Sequence, residues 1–260
     1  MRIGVVGGGV VGRATARCFM EHGEVRVYDT MPDRATHSLF DTLDTDLIFV
    51  CLPTPQRENN SCDTSAITNF LGTSPRELNY VLRSTVPVGY TRTIRDLYKL
   101  PNLVHSPEFL TARCAITDAQ LPARNIVGYP EYPSPKAWHP VAGLYATRFP
   151  GVPIHYMQSD ESEAVKLFTN GYGATMVALF NEFYSLCEAR GMDWDRVLAG
   201  LLSDGRIPHS WTRVPGPDGR RGFGGECLPK DLANLIACLG DEAMVTLAAH
   251  RRNRHDRERI

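Results

Sequence analysis

The chain has 260 residues, of which 43% are hydrophobic and 22% are charged. A chain of this size buries roughly 70 to 75% of the surface that its unfolded form exposes, so neither disulfides nor a structural metal is needed to hold the fold. Its 28 Lys and Arg residues nearly balance 29 Asp and Glu residues. This balance gives no electrostatic reason to expect a nucleic acid or an anionic membrane as a partner.

The cysteines and the N-terminus indicate a compartment. The seven cysteines are an odd number and include no Cys-x-x-Cys pair, which argues against a disulfide framework. We see no signal peptide, and no stretch approaches the roughly 18 apolar residues that a membrane span needs. We therefore expect a cytoplasmic protein in which any special cysteine is reactive rather than bridged.

Short β-rich runs alternate with helical patterns over the first half of the chain. The predicted strands are residues 3–6, 25–28, 47–52, 80–84, 103–105, 125–127 and 153–156, and the first predicted helix is 10–22. Residues 159–190 contain no proline, and their apolar positions follow the period of one long helix. Shorter helices are predicted around 193–201, from Pro229 and near Asp241, with a loop at 208–225.

This order of elements predicts an α/β fold with two domains. Residues 1–157 are expected to form a Rossmann-type, doubly wound parallel sheet, because several of the strands are apolar enough to be buried on both faces. Residues 158–260 are expected to form an all-helical domain with a long central helix.

A glycine loop follows the first strand and opens the first helix. Its sequence, GGGVVG at residues 7–12, has the G-x-G-x-x-G spacing of a dinucleotide-binding loop. The expected cofactor contacts are Gly7, Gly9, Val10, Val11, Gly12 and Asp29. The first glycine permits a tight turn, the second lets a pyrophosphate approach, and the third allows close helix packing, with the phosphates on the helix N-terminus.

Asp29, at the end of the second strand, indicates which dinucleotide binds. A carboxylate there accepts hydrogen bonds from both ribose hydroxyls and repels a 2′-phosphate, so NAD is favoured over NADP. Arg34 argues in the opposite direction, towards NADP. A glycine turn that binds nothing is the alternative interpretation of the loop.

Residues 222–231 (GFGGECLPKD) place a cysteine just before a predicted helix. Pro229 suits the first helical position. A helix N-terminus and the nearby Lys230 ammonium both stabilise a thiolate, so Cys227 is a candidate nucleophile.

Several blocks together resemble a known family. They are residues 7–12, 52–55 (LPTP), 84–89 (STVPVG) and 106–110 (SPEFL), then Glu163 with Lys166 and Asn170, Asn181 with Glu182, Asp204 with Arg206 and Ile207, and residues 222–231. In this order they resemble the UDP-glucose/GDP-mannose dehydrogenase family over residues 1 to about 255. That resemblance implies oxidation of the C6 hydroxyl of a nucleotide sugar to a carboxylate with two NAD molecules.

The resemblance also implies a role for each matching residue. The implied catalytic residues are Cys227, Lys166, Asn170, Asp231, Glu108 and Thr85. Thr54, Lys230, Thr85 and Glu108 are the further cofactor contacts that it implies, and the implied substrate contacts are Lys166, Asn170, Arg206, Gly224 and Cys227. Cys227 would add to the aldehyde to form a thiohemiacetal, the second hydride would leave a thioester, and water would hydrolyse it. No metal is implied.

Lys166 and Asn170 lie four residues apart in the long helix and hence on one face, where both can donate to an oxyanion. A solvated helix face is the alternative for this pair. Glu108 and Thr85 either handle water or bind the nicotinamide side of the cofactor, and Glu108 alternatively has a plain structural role. Arg206 resembles an arginine that reaches the active site of a neighbouring subunit.

The sequence departs from the family pattern in ways that concern the substrate. Typical members continue into a third, nucleotide-binding domain, whereas this sequence stops at Ile260, so we expect a short member without that domain. Arg213, Arg220 and Arg221 are candidate phosphate partners in its place, or they serve solubility alone. Two other functions stay open: a two-electron hydroxyacid-type dehydrogenase, and a non-catalytic NAD-binding partner subunit.

The long helix carries apolar residues on several faces, including Val165, Phe168, Met176 and Phe180. A short helical domain offers too little cover for all of them, so we expect a homodimer about this helix. The resemblance implies the same interface.

Overall fold

A computed structural model describes residues 1–131 and 139–258 of the chain. The strands are β1 (Arg2–Val6), β2 (Glu24–Tyr28), β3 (Leu47–Val50), β4 (Tyr80–Leu82), β5 (Leu103–His105), β6 (Asn125–Tyr129) and β7 (Ile154–Gln158). The α-helices are α1 (Val10–Phe19), α2 (Leu39–Leu43), α3 (Ser65–Thr73), α4 (Tyr90–Tyr98), α5 (Ala115–Gln120), α6 (Pro140–Arg148), α7 (Ser159–Ala189), α8 (Trp194–Leu202), α9 (Cys227–Leu239) and α10 (Met244–Glu258). Each predicted strand is therefore present.

Contacts divide the chain into two compact units. The first consists of Met1–Pro55 and Cys62–Lys166, and the second of Gln56–Ser61 and Leu167–Ile260. Helix α7 contributes residues to both. The domain boundary predicted after residue 157 stays a prediction.

The first unit contains one seven-stranded sheet in the order β2-β1-β3-β4-β5-β6-β7. Neighbouring strands from β2 to β5 are parallel, and so are β6 and β7. The prediction of a doubly wound α/β fold is confirmed, but the sheet is not wholly parallel, because β5 and β6 pair antiparallel through His105 and Gly128. A buried apolar run has the same composition in either direction, so the sequence did not reveal this reversal.

The sheet separates two apolar cores, and successive residues of a strand point into opposite cores. In β3, Leu47 and Phe49 belong to one core while Ile48 and Val50 belong to the other. All four side chains are fully buried. This burial on both faces explains why the run is continuously apolar instead of alternating.

The loops that carry the predicted site residues of this unit leave the sheet at one edge. Gly7 follows β1, Thr54 follows β3, Thr85 follows β4 and Glu108 follows β5. Because β1 and β3 to β5 are parallel, their carboxyl ends meet at the same edge, which is where ligands bind in open α/β sheets.

The second unit is helical, as predicted. Phe180 of α7 packs edge-on against Trp194 of α8, with ring centroids 6.4 Å apart, and is buried. The expectation that Phe180 needs cover from outside the helical domain is therefore wrong, since α8 supplies that cover. Helix α9 begins at Cys227, two residues before the predicted start at Pro229. Proline is tolerated within the first helical turn because the N–H groups there have no intrahelical partner.

Candidate functional site

The glycine loop has the geometry that a bound pyrophosphate requires. Gly7 has φ +99°, and a Cβ there would lie 2.4 Å from the Cys51 carbonyl oxygen. A Cβ at Gly12 would lie 1.7 Å from the Gly7 oxygen, whereas a Cβ at Gly9 would meet nothing within 4 Å. Gly7 and Gly12 are thus needed for packing, while Gly9 faces open space at the N-terminus of α1, where Val10 begins the helix.

Asp29 lies directly against this loop. Its Oδ2 accepts a hydrogen bond from the Gly8 N–H at 2.6 Å, and its Oδ1 accepts one from the Met31 N–H at 2.8 Å. A carboxylate oxygen has two lone pairs, so each can also accept a ribose hydroxyl. The open second glycine, the uncapped start of α1 and this carboxylate together fit the adenosine and pyrophosphate parts of NAD.

Thr54 and Thr85 connect the loops after β3 and β4. Both are buried, and the Thr54 Oγ1 hydroxyl donates to the Thr85 carbonyl oxygen at 2.9 Å. Ser84 Oγ also donates to the Leu52 carbonyl oxygen at 2.7 Å. The two predicted cofactor contacts are therefore held side by side at the carboxyl edge of the sheet.

Lys166 and Glu108 form a buried ion pair in the first unit. Lys166 Nζ lies 2.9 Å from Glu108 Oε1, and their side chains are only 4% and 9% exposed. Glu108 Oε2 accepts the Leu110 N–H at 2.6 Å. Burial opposes ionisation of Glu108, but the Lys166 ammonium and the Leu110 N–H outweigh it and hold the pKa of Glu108 below its usual value. An ionised Glu108 fixes the ammonium group, which still has two other N–H groups to offer.

Glu163, which had no predicted role of its own, is almost completely buried one helical turn before Lys166. Its Oε2 accepts the Gly89 N–H at 2.6 Å, and its Oε1 accepts the N–H of Thr91 at 2.8 Å and the hydroxyl of Thr91 at 2.5 Å. Burial raises the pKa of Glu163 to about 7, against these hydrogen bonds. The sequence signal that could have indicated such a residue is Gly89, because a glycine at a helix start leaves the helix without a capping side chain of its own.

In the second unit, Asp231 brings two other predicted residues together. Its Oδ2 accepts from Asn170 Nδ2 at 2.6 Å, and its Oδ1 accepts from Lys230 Nζ at 2.5 Å. Asp231 is 1% exposed. Asp231 therefore orients the Asn170 amide, whose second N–H is not used by this bond. Lys230, predicted as an NAD contact, is engaged by Asp231 within its own helix.

Cys227 is the first residue of α9 and is exposed. Glu226, at the N-cap, provides no side-chain cap. Reactive cysteines commonly lie at helix N-termini, where the positive end of the dipole favours a thiolate. The role of Cys227 as the nucleophile stays a prediction.

Buried amides anchor the loop before Cys227. The Phe223 N–H donates to Asn253 Oδ1 at 2.7 Å, and the Gly222 N–H donates to Asn181 Oδ1 at 3.1 Å. A Cβ at Gly224 would lie 2.2 Å from Arg257 Nη2. A side chain at Gly224 would therefore displace the Arg257 guanidinium, and the role of Gly224 as a substrate contact stays a prediction.

Two of the predicted arginines pair with neighbouring carboxylates. Arg206 is 90% exposed at its side chain and pairs with Asp204. Arg221 pairs with Glu188 and lies over the Tyr184 ring. These contacts account for the position of its side chain without a bound phosphate.

The structure thus pairs Lys166 with Glu108 and Asn170 with Asp231, and these pairs belong to different units. Within residues 1–131 and 139–258, no three His, Cys, Asp or Glu side chains are grouped as a metal site requires. None of the helices that the structure describes has the length and apolar character needed to cross a membrane.

Comparisons with known proteins give the family. Residues 34–147 match the NAD binding domain, and residues 160–254 the central domain, of the UDP-glucose/GDP-mannose dehydrogenase family. The chain is 34% identical to the UDP-glucose 6-dehydrogenase of Campylobacter jejuni over 198 residues, which is 74% of this chain and 48% of that protein. It is 30% identical to the Streptococcus pneumoniae enzyme of the same name, covering 93% of this chain and 69% of that protein.

Its fold is similar to that of a UDP-D-ManNAc dehydrogenase from Pyrococcus horikoshii, with a TM-score of 0.82 at 22% identity, over 98% of this chain and 68% of that one. The chain spans between about half and about two thirds of the length of these relatives. It carries the NAD-binding domain of the family, and it belongs to the UDP-glucose/GDP-mannose dehydrogenase family.

Proposed function

We propose that the protein is an NAD-dependent dehydrogenase that oxidises the C6 hydroxyl of a nucleotide sugar, or a nucleoside-type primary alcohol, to a carboxylate. The observation that carries this proposal is Cys227 at the N-terminus of α9, one helical turn before the buried Asp231 that orients Asn170. A two-electron dehydrogenase has no need of such a thiol. The relatives that are named UDP-glucose 6-dehydrogenase support a nucleotide sugar as the substrate class.

Oxidation of an alcohol to an acid removes four electrons as two hydrides, and NAD, when bound, accepts one hydride in each oxidation. The first oxidation yields an aldehyde. The Cys227 thiolate adds to its carbonyl carbon and forms a C–S bond, which gives a thiohemiacetal. Loss of the second hydride gives a thioester, and water breaks the C–S bond to release the carboxylate and the thiol. The aldehyde is thereby never free.

In this proposal, Lys166 and Asn170 stabilise the oxygen that carries negative charge before each hydride leaves. Each side chain has N–H groups beyond the one used in the bond to Glu108 or Asp231. Glu108 and Asp231 are buried carboxylates that hold these donors in place. Asp231 also stands one turn after Cys227, where it orients the hydrolytic water.

We also propose that α7 forms a homodimer interface. Its exposed apolar side chains are Phe168, Tyr172, Leu179, Phe183 and Leu186. Their spacings of four, seven, four and three residues place them along one side of the helix. Such a continuous apolar stripe is what an isologous interface buries.

The reducing cytoplasm is the compartment we propose, and the seven free thiols support it.

Replacement of Cys227 tests the proposed chemistry. Cys227→Ala is expected to abolish carboxylate formation from UDP-glucose or GDP-mannose, measured by mass spectrometry of the product. Cys238→Ala is the matched control, because Cys238 is an exposed thiol in the same helix, and it should leave product formation unchanged. A Cys227→Ala variant that forms the carboxylate at the unaltered rate contradicts the proposal.

A further inference from the structure

Helix α4 begins without a cap of its own. Its N-cap residue is Gly89, which has φ +89° and no side chain. The first N–H groups of a helix have no partner within the helix, and an N-cap side chain normally accepts one of them. The start of α4 therefore needs an acceptor from elsewhere in the unit.

Glu163 of α7 supplies that acceptor. In a capping box, the N-cap side chain accepts an N–H of the first turn, and a glutamate in that turn accepts the N-cap N–H. Here a single carboxylate from another helix does both, since it accepts the N–H of Gly89 and the N–H of Thr91. When the carboxyl is ionised, its negative charge lies at the positive end of the α4 dipole.

This contact fixes one end of the loop that carries Thr85. The loop runs from the end of β4 at Leu82 to Gly89. Its first half is held by Thr54, which bonds the Thr85 carbonyl oxygen. Its far end is held by Glu163. One turn further along α7, Lys166 holds Glu108. This short stretch of α7 therefore fixes the loops of Thr85 and Glu108, the two residues predicted either to handle water or to bind the nicotinamide side of the cofactor.

We propose that Glu163 is a positioning residue for the cofactor site, which acts by holding the Thr85 loop at the carboxyl edge of the sheet. The inference rests on the proposed function to the extent that Thr85 is taken as an NAD contact. Both carboxyl oxygens of Glu163 accept hydrogen bonds from the start of α4, so in this proposal it acts through that helix.

Three substitutions separate the contributions of this carboxylate. Glu163→Gln keeps the size of the side chain, but its NH2 group faces an N–H donor, so one hydrogen bond is lost and two donors oppose each other. Thr91→Val removes only the hydroxyl donor and leaves both backbone N–H bonds. Thr91→Ser retains that donor. Asp160→Asn is the matched control, because Asp160 is a carboxylate of the same helix that pairs with Arg92 of α4 at 2.7 Å and does not bond Gly89 or Thr91.

The experiment measures the Kd for NAD by quenching of protein fluorescence, together with urea unfolding of each variant. We expect Glu163→Gln to raise the Kd about tenfold, which corresponds to about 1.4 kcal/mol of binding free energy, because the loop that carries Thr85 is no longer held at its far end. A smaller rise, of about threefold, is expected for Thr91→Val. Thr91→Ser and Asp160→Asn should bind NAD as the unmodified protein does.

A folded Glu163→Gln or Thr91→Val protein with unchanged NAD affinity overturns the inference. Should Glu163→Gln fail to fold, the comparison of Thr91→Val with Thr91→Ser decides it. The proposed function fails separately, if the unmodified protein binds NAD but oxidises no nucleotide sugar. A purely structural role for Glu163 would lower the unfolding midpoint without moving the Kd of the folded protein, and this result also counts against the inference.

Discussion

Lys166→Met tests the buried ion pair at the candidate site. The substitution removes the ammonium but retains most of the length of the side chain. Among the residues that the structure describes, it leaves Glu108 with the Leu110 N–H as its hydrogen-bond donor. Both partners are more than nine-tenths buried, and removal of one partner of a buried pair costs about 3 to 5 kcal/mol of stability. An exposed pair contributes about 0 to 1 kcal/mol. The two cases therefore differ by more than the error of an unfolding experiment.

The assay is urea unfolding at neutral pH, with Arg2→Met as the matched control. Arg2 pairs with Asp44 at 3.0 Å, but these side chains are 42% and 62% exposed. We expect Lys166→Met to lower the free energy of unfolding by about 3 kcal/mol or more and Arg2→Met to lower it by less than about 1 kcal/mol. The double variant Lys166→Met with Glu108→Gln should recover part of the loss, because the unpaired charge is gone.

The same variant has a pH signature. The folded pKa of Glu108 lies below its unfolded value, so its ionisation stabilises the fold above the unfolded pKa, and this stability is lost as the pH falls through the folded pKa. Without Lys166 the contribution disappears, and the stability difference between Lys166→Met and the unmodified protein should shrink on acidification. A difference below about 1 kcal/mol at neutral pH, equal to that of Arg2→Met, would refute the reasoning.

Three further outcomes are expected. Gly9→Ala should fold normally, because its Cβ meets no atom within 4 Å, but it should bind NAD more weakly in a titration. Gly12→Ala should unfold at a lower urea concentration, and equal stability of the two variants would contradict the geometry. The folded pKa of Glu163, about 7, exceeds its ordinary 4.5, so the stability that it contributes is complete below pH 4.5 and is lost as the pH rises through 7. In urea unfolding between pH 5 and 8, Glu163→Gln should lack this decline in stability. A decline parallel to that of the unmodified protein would argue against a buried carboxyl. Leu186→Lys should convert the proposed dimer to a monomer in light scattering, and an unmodified protein that is already monomeric would exclude the interface.

Local patterns in the sequence predicted each strand and the long helix. Residues 159–190 carry an uninterrupted apolar period, and α7 spans Ser159–Ala189. The glycine spacing likewise predicted the tight turn at Gly7, which has a positive φ, and the close packing at Gly12. These features depend on neighbours within a few positions, which is the range over which a pattern carries information.

Contacts between side chains that lie far apart in the sequence could not be predicted from local patterns. Glu108 and Lys166 lie 58 residues apart, and Asn170 and Asp231 lie 61 apart. The resemblance marked all four residues but did not give their partners. The cap that Glu163 provides for α4 depends on how two helices pack, and a helix start with glycine shows only that an acceptor is needed.

The ratio of NADH formed to nucleotide sugar consumed tests the central claim most directly. The proposed chemistry through Cys227 removes two hydrides, so UDP-glucose or GDP-mannose supplied in limiting amount should yield two NADH per sugar, with the carboxylate as the product. A ratio of one, with an aldehyde or ketone as product, would contradict the account and indicate a two-electron dehydrogenase. Absence of turnover in a protein that binds NAD would indicate a non-catalytic subunit.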